Sequence, residues 1–579
     1  MLQKEDSKYM DTFQNILDVL GPYYTAVIRW VFVLLAIFIL VKSIKSLLQA
    51  KNPSEIWAYI GGPDGSSTPL KHWENVIGRA SSADIVVNLN SVSRNHGTLV
   101  RDENGNWRYK DLQSKNGSYI NGVKVKKSML LKPGDILTLG GANFTLIPVS
   151  IQEKQENIQK RKRKSKPVSP WTSLIALTIF QLLTIIQFKV AYGEDCPASI
   201  PTAFLGLSAV MWVYFLLLRS FKRVAFEMET IAFFLSTLSL AVTAVHTGNV
   251  MKQLICVIMG VVLFFLLCWF LRDLNRSKEI RMLILGVGAL LLLATLLFGT
   301  THGGAKNWIE FGSLSIQPGE LVKVAFIIAG AATLDELYEK GNLTVFMIFS
   351  AFCMGCFALM SDFGTAAIFF VTFLVIAYLR SGDFSKLILI VGGVALAGML
   401  VLTLKPHVRA RFAAWGHVWE DPLGKGFQQV RAMTAVSSGG LPGCGAGEGW
   451  FHTTAASDTD LVFALLSEEW GLIIAILAVL CIVTLGVFAV RSIMAGRSAY
   501  YSIAACAATS LFIFQTMLNV CGALDLLPFT GVTFPFVSSG GTSMIVSWGL
   551  LAFLKAADTR QNASFAVRLE GKEKGGITS

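Results

Sequence analysis

Charged side chains are scarce in this chain. Asp, Glu, Lys and Arg make up 15% of its 579 residues, where soluble domains usually carry about 25%, and that deficit excludes an ordinary soluble protein. No disulfide framework or zinc site is legible either. The nine cysteines are scattered, and most fall inside apolar runs (Cys256, Cys268, Cys353, Cys356, Cys481, Cys506), as small buried residues do. Cys353 and Cys356 form a C-x-x-C, but no second pair accompanies it. A basic run, "KRKRK" from Lys160 to Lys164, has no aromatic or base-reading module beside it, which argues against nucleic acid. It reads as a solvated linker near anionic lipid.

What is abundant is apolar length. Hydrophobic residues are 53% of the chain, gathered in runs of roughly 18 residues or more, enough to cross a bilayer as helices. An anchor near 23–45 and twelve segments make thirteen expected spans: 170–190, 200–219, 228–246, 250–271, 281–300, 318–337, 343–360, 363–380, 385–404, 461–490, 501–524 and 532–556. The fold class is a polytopic α-helical membrane protein. Residues 1–50 are expected to form an N-terminal segment that keeps its anchor, 151–169 a flexible linker, 170–227 two extra helices, 228–558 the main helical body and 559–579 a tail.

Between 51 and 150 the texture changes. Short alternating runs ("DIVV", "HGTLV", "WRYKDL", "DILTLG", "NFTLIPV") are separated by Gly, Asn and Asp turns, the pattern of an all-β antiparallel sandwich. The turns carry "IGR" with Arg79, "SRNH" from Ser93 to His96, "SKNG" from Ser114 to Gly117, and Asn121-Gly122. In this order and spacing they resemble the forkhead-associated (FHA) domain, which recognises phosphothreonine. The resemblance implies phosphate contacts from Arg79, Ser93, Arg94 and Lys115, a peptide-backbone contact from Asn116, and a loop-bracing His96. The residue types suit the task, because a phosphate needs fork-shaped cations and short donors on rigid loops.

Lys and Arg collect in cytoplasmic loops. "RSFKR", "RDLNRSKEIR", "YEKGN", "RSGDFSK" and "RSIMAGR" alternate with "YGEDCPAS", "HTGN" and "CGALDLLPF". The sandwich is therefore expected in the cytoplasm, and the large loop 405–460 outside. That loop still carries Lys405, Arg409, Arg411, Lys425 and Arg431, which suits an anionic substrate at the outer surface.

Acids within such a body are functional candidates, because a charge at the bilayer centre costs roughly 2.5–3.5 kcal/mol on insertion scales. Glu320 and Lys323 in "QPGELVK" are placed to pair on one helix face, and Asp362 opens the apolar run of "SDFGTAAIFF". "SDTDLVFALLSEEWG" sets Asp458 and Asp460 ahead of Glu468 and Glu469. Together with "GAKNW", the long "RARFAAWGHVWEDPLGKGFQQVRAMTAVSSGGLPGCG" and "FPFVSSGGTS", these motifs resemble the SEDS family (shape, elongation, division and sporulation), the FtsW/RodA group of membrane glycosyltransferases, over roughly 230–556.

The resemblance implies a ten-helix core that polymerises lipid II into glycan strands, working with a class B penicillin-binding protein. The family's essential aspartate falls on Asp460, expected to serve as a base or to hold a divalent cation such as Mg2+ or Mn2+. Arg409 and Arg411 fall where the family places cations for a departing pyrophosphate. Glu320, Lys323, Asp362 and Asp458 are taken as substrate-side residues, and Glu468 and Glu469 as structural or pathway-lining. The sequence departs from the family at Gly319 (usually Ser), Asp458 (usually His) and Ser539 (often aromatic). Two carboxylates this close tend to share a proton, raising one pKa. A flippase for the lipid-linked precursor and a catalytically silent scaffold also remain open.

Overall fold

The computed structural model describes residues 2–49, 56–164, 169–332, 340–381, 412–494 and 498–558, apart from isolated positions, with scattered residues between 388 and 409. The β part is a two-sheet sandwich. One sheet runs Ser67–Leu70, Ala58–Gly61, Ala142–Pro148, Ile136–Leu139, Ser118–Ile120, Val123–Lys124; the other runs Ile85–Val86, Glu74–Gly78, Gly97–Arg101, Trp107–Asp111, Ser128–Leu131. Alternation builds the core, since every second side chain faces the opposite sheet. Ala142, Phe144 and Leu146 point inward along their strand, joining Ile77, Leu99, Tyr109, Leu137 and Leu139. Asn121 and Gly122 both have positive φ (49° and 80°), as a tight hairpin between Ser118–Ile120 and Val123–Lys124 requires.

The linker is not flexible along its length, as the sequence suggested. Ser150 accepts a hydrogen bond from the Glu153 amide (3.2 Å), starting a helix from Ile151 to Lys164. The Tyr59 hydroxyl donates to the Glu153 carboxylate and ties that helix to the sandwich.

Among the described residues eight helices are long and apolar enough to cross a membrane: Tyr23–Leu48, Trp171–Asp195, Ser199–Ser220, Glu227–Val245, Val250–Phe270, Glu279–Phe298, Leu472–Ser492 and Ala499–Ala523. Thr344–Leu359, Phe363–Leu379 and Gly541–Ala557 are shorter apolar helices, and Pro318–Ala332 is another helix of the same body. The protein is thus a multi-pass membrane protein. Most of the expected span 385–404 lies outside the described residues.

Two expected spans are interrupted. The run 461–490 divides into Val462–Trp470 and Leu472–Met494. Gly471 between them has φ 91°, and a Cβ there would meet the Leu441 carbonyl oxygen at 2.3 Å. The run 532–556 becomes helical only at Gly541, after the irregular stretch that contains Pro535. Both interruptions put backbone groups where a regular helix would have consumed them.

The helices ahead of the core are built into it. Phe32 and Phe180 pack on Trp470, with ring centroids 4.8 and 5.6 Å away. Tyr214 donates to Glu229 (2.8 Å), Gln181 donates to Thr237 (2.9 Å), and Ser46 donates to Glu227.

Candidate functional site

Asp460 ends a turn that leads into the short helix Val462–Trp470. The cap position of that helix is Leu461, without a side-chain cap bond, so helix capping does not explain the acid. What fixes the turn is a clamp on its backbone. The carbonyls of Asp458, Thr459 and Asp460 each accept one hydrogen bond from the late membrane segments. The donors are the Ser539 amide (2.8 Å), the Ser538 hydroxyl (2.6 Å) and the Asn519 side-chain amide (2.9 Å). Asn519 also donates to the Val532 carbonyl (2.8 Å), binding the turn to the irregular stretch. His246, at the end of Glu227–Val245, sets its Nε2 2.7 Å from the Ser457 hydroxyl and 3.8 Å from Asp458 Oδ1. The half-buried carboxylate of Asp460 lies beneath Gly531, where a Cβ would come within 3.2 Å of Oδ2.

The other motifs converge on the same stretch. Lys323 pairs with Glu320 (2.5 Å), as their spacing suggested, and also donates to Gln515 (2.9 Å). Gln515 in turn donates to the Thr533 carbonyl and hydroxyl (2.8 and 2.9 Å). Glu320 is 5% exposed and Lys323 1%, so the pair braces Thr533 from inside the body rather than presenting a surface to a substrate. Asp362 is likewise buried. It caps Phe363–Ser381 through the Thr365 amide (3.1 Å) and accepts from Asn307 of "GAKNW" (2.8 Å). Gly364, just after it, packs against Thr530, whose carbonyl would lie 3.0 Å from an added Cβ.

Glu468 and Glu469 are structural. Glu469 accepts from the amides of Gly447 (2.6 Å) and Gly449 (3.3 Å), and Glu468 from those of Trp450 (3.3 Å) and Phe451 (2.9 Å). The pair satisfies the backbone of a glycine-rich loop that no regular element pairs. Arg431 braces that loop too, donating to Thr454 (3.0 Å) with its guanidinium 4.7 Å from the Trp450 ring. Arg409 is exposed, whereas Arg411 and Lys405 lie outside the described residues. Among the described residues no three of His, Cys, Asp and Glu gather as a metal cage.

In the sandwich the expected residues share one edge. Arg79, Arg94, Lys115 and Asn116 are exposed, while His96 is fully buried beneath them. His96 Nδ1 accepts from the Ser93 amide (3.0 Å), which leaves Nε2–H to donate to the Gly117 carbonyl (3.3 Å). Ser93 Oγ accepts from the Lys115 amide (3.0 Å), and Asn116 donates to the Ser91 carbonyl (2.7 Å). Arg79 Nη1 rests on Asn90 (2.8 Å). Burial pushes the His96 imidazole below its ordinary pKa. Burial by itself would raise Asp111, but hydrogen bonds from Ser118 and Ser114 outweigh it and hold the carboxyl below the usual range.

Sequence reasoning missed Asn519, Gln515 and His246. Each is a polar residue in or at the end of an apolar helix, and that isolation was the signal available.

These features define a class: a polytopic membrane protein with one clamped acidic turn and a β-sandwich of FHA type. Residues 218–563 match the FtsW/RodA/SpoVE family, described as "Cell cycle protein", and residues 75–140 match the FHA domain. The "Probable peptidoglycan glycosyltransferase FtsW" of Pseudoalteromonas translucida is 33% identical over 302 residues, 49% of this chain and 74% of the relative. "Stage V sporulation protein E" of Bacillus subtilis is 33% identical over 268 residues, 44% of this chain and 72% of the relative. The "Peptidoglycan glycosyltransferase RodA" of Mycobacterium tuberculosis is 29% identical over 349 residues, 57% of this chain and 74% of the relative. The chain belongs to the FtsW/RodA/SpoVE family and carries an FHA domain.

Proposed function

We propose that this protein is a peptidoglycan glycosyltransferase that polymerises lipid II at the outer membrane face, with Asp460 as the base. The Asp460 carboxylate takes the proton of the acceptor 4-hydroxyl as its oxygen attacks the donor's anomeric carbon. The bond to the pyrophosphate breaks, and the lipid pyrophosphate leaves with the electron pair. Arg409 and Arg411 neutralise that leaving group. In the alternative role to that of base, Asp460, with Asp458 two residues away, would hold a Mg2+ or Mn2+ ion. When bound, it would add charge stabilisation to the departing pyrophosphate.

The observation that carries this reading is the clamp, because three successive carbonyls of the Asp458–Asp460 turn are each held by a separate donor. Such over-determination holds a reacting group in place before substrate arrives. A class B penicillin-binding protein is the partner that crosslinks the strands, and a phosphothreonine protein is the ligand of the FHA domain. That domain faces the cytoplasm, on the side of the basic loop before Ser498.

The test is purified full-length protein, wild type and Asp460→Asn, supplied with labelled lipid II and divalent cation. Wild type forms polymer, and D460N loses about a hundredfold or more of the rate. Equal polymer from both would overturn the assignment of the base.

A further inference from the structure

The FHA domain is bolted to the membrane body at one buried carboxylate. Glu74 opens the strand Glu74–Gly78 of the sandwich and is 9% exposed. It accepts from the Ser498 hydroxyl (3.0 Å) and the Ala499 amide (2.6 Å). Those groups begin the spanning helix Ala499–Ala523, whose cap residue is Ser498. The Ser498 hydroxyl also accepts from the Tyr500 amide (3.3 Å). An acid at a helix start is favoured by the unpaired amides and by the dipole. This one comes from another domain, more than 400 residues away in the chain.

Both elements that meet there end at a site. Along the strand from Glu74, the next residue after Gly78 is Arg79, whose amide donates to the Ser93 carbonyl (3.0 Å) in the phosphate-binding edge. Along the helix from Ala499, Asn519 lies about 30 Å away at 1.5 Å per residue, holding the Asp460 carbonyl. Gln515, one turn earlier, holds Thr533 and Lys323. A strand laddered to its two neighbours and a helix hydrogen-bonded along its own length thus join the two sites through Glu74.

We infer that Glu74 and Ser498 are positioning residues through which phosphopeptide occupancy of the FHA domain is felt at the Asp460 turn. The domain then regulates the polymerase as well as recruiting a partner. The proposal rests on the glycosyltransferase reading for its consequence, but the contact itself does not depend on it. On this proposal docked and undocked positions of Glu74 differ in their affinity for peptide, because Arg79 of the occupied edge directly continues the strand that Glu74 opens. Linkage then requires docking and peptide binding to change each other by the same factor.

The test uses the full chain in nanodiscs and a phosphothreonine peptide library, with its unphosphorylated counterpart as control. Three quantities are read: library binding by anisotropy, polymerisation of labelled lipid II, and hydrogen exchange of the amides at 499–503. In wild type the library changes the polymerisation rate by about fivefold, the lower end of ordinary coupling, and alters exchange at the helix start. In Glu74→Ala the library still binds and both responses are lost. Glu74→Gln, which keeps one acceptor oxygen, restores part of each. If wild type makes no polymer the function reading fails, and the exchange response in wild type against E74A alone decides this proposal. Binding without an exchange response, a response in E74A equal to that of wild type, or no binding by the library would overturn it.

Discussion

The FHA domain and the membrane body hold their loops by the same device, polar side chains hydrogen-bonded to loop groups. They differ in where those side chains come from. In the sandwich, His96, Ser93 and Asn116 brace loops that lie within about two dozen residues of themselves. In the body, Asn519 and Ser538 reach a turn 59 and 79 residues away, and His246 reaches one 211 residues away. The sandwich also keeps its cations exposed on the loops they serve, whereas the body buries Lys323 and Glu320 as a brace. A domain in water can specify a site with local turns. A helical bundle must borrow polar groups from whichever helix passes nearby, because the bilayer supplies no water to satisfy the loop.

Four changes break or sharpen this contrast. The largest effect is expected for Lys323→Met, which leaves the Glu320 charge buried without its cation. Losing one partner of a buried pair costs about 3–5 kcal/mol, read as a drop in heat stability of the detergent-solubilised protein; an unchanged melt would show the pair is not a brace. Arg79→Ala removes an exposed cation and should cost about 1.5–3 kcal/mol of phosphothreonine-peptide binding. Its melt should stay at the wild-type value, and a stability loss instead would make Arg79 a brace like Lys323.

Asn519→Ala strips donors from the Asp460 and Val532 carbonyls, at about 1–3 kcal/mol. The polymerisation kcat should fall with KM little moved, and an unaltered kcat would detach the clamp from catalysis. The smallest effect concerns pH. His96 is held below its unfolded pKa of about 6.5, so above that value both states are neutral and its contribution is full. As the pH falls below about 6.5 the unfolded chain takes up a proton that the folded one refuses, and stability drains away until the folded pKa is reached. Protection of the Gly97–Arg101 amides, corrected for intrinsic exchange, should therefore decline in that window, and His96→Ala should remove this component of the decline.

The same contrast explains what could be read in the sequence. The sandwich, the gathering of Arg79, Ser93, Arg94, Lys115 and Asn116 at one edge, and the bracing role of His96 were legible, because turn residues and their targets sit side by side. In the body the motifs identified the loops, and the Glu320–Lys323 pairing followed from helical spacing. Their burial did not follow, since it depends on Gln515 arriving from another helix. The break before Gly541 was legible in the small and polar residues of "FPFVSSGGTSM", which mark a helix break or a tight packing point, whereas the one at Gly471 fell inside a run that reads as a single span. The docking of Glu74 on Ala499 was beyond reach, as nothing local marks a strand acid as the cap of a distant helix.

The central claim is that Asp460, and not its neighbour Asp458, is the base, held in place by the clamp. Its most direct test is the rate of lipid II polymerisation by Asp460→Asn and Asp458→Asn measured side by side with wild type. Asp458 faces His246 at 3.8 Å and should contribute less than about tenfold, whereas loss of the base should cost about a hundredfold or more. A D458N defect as deep as that of D460N, or a D460N enzyme as fast as wild type, would contradict the account.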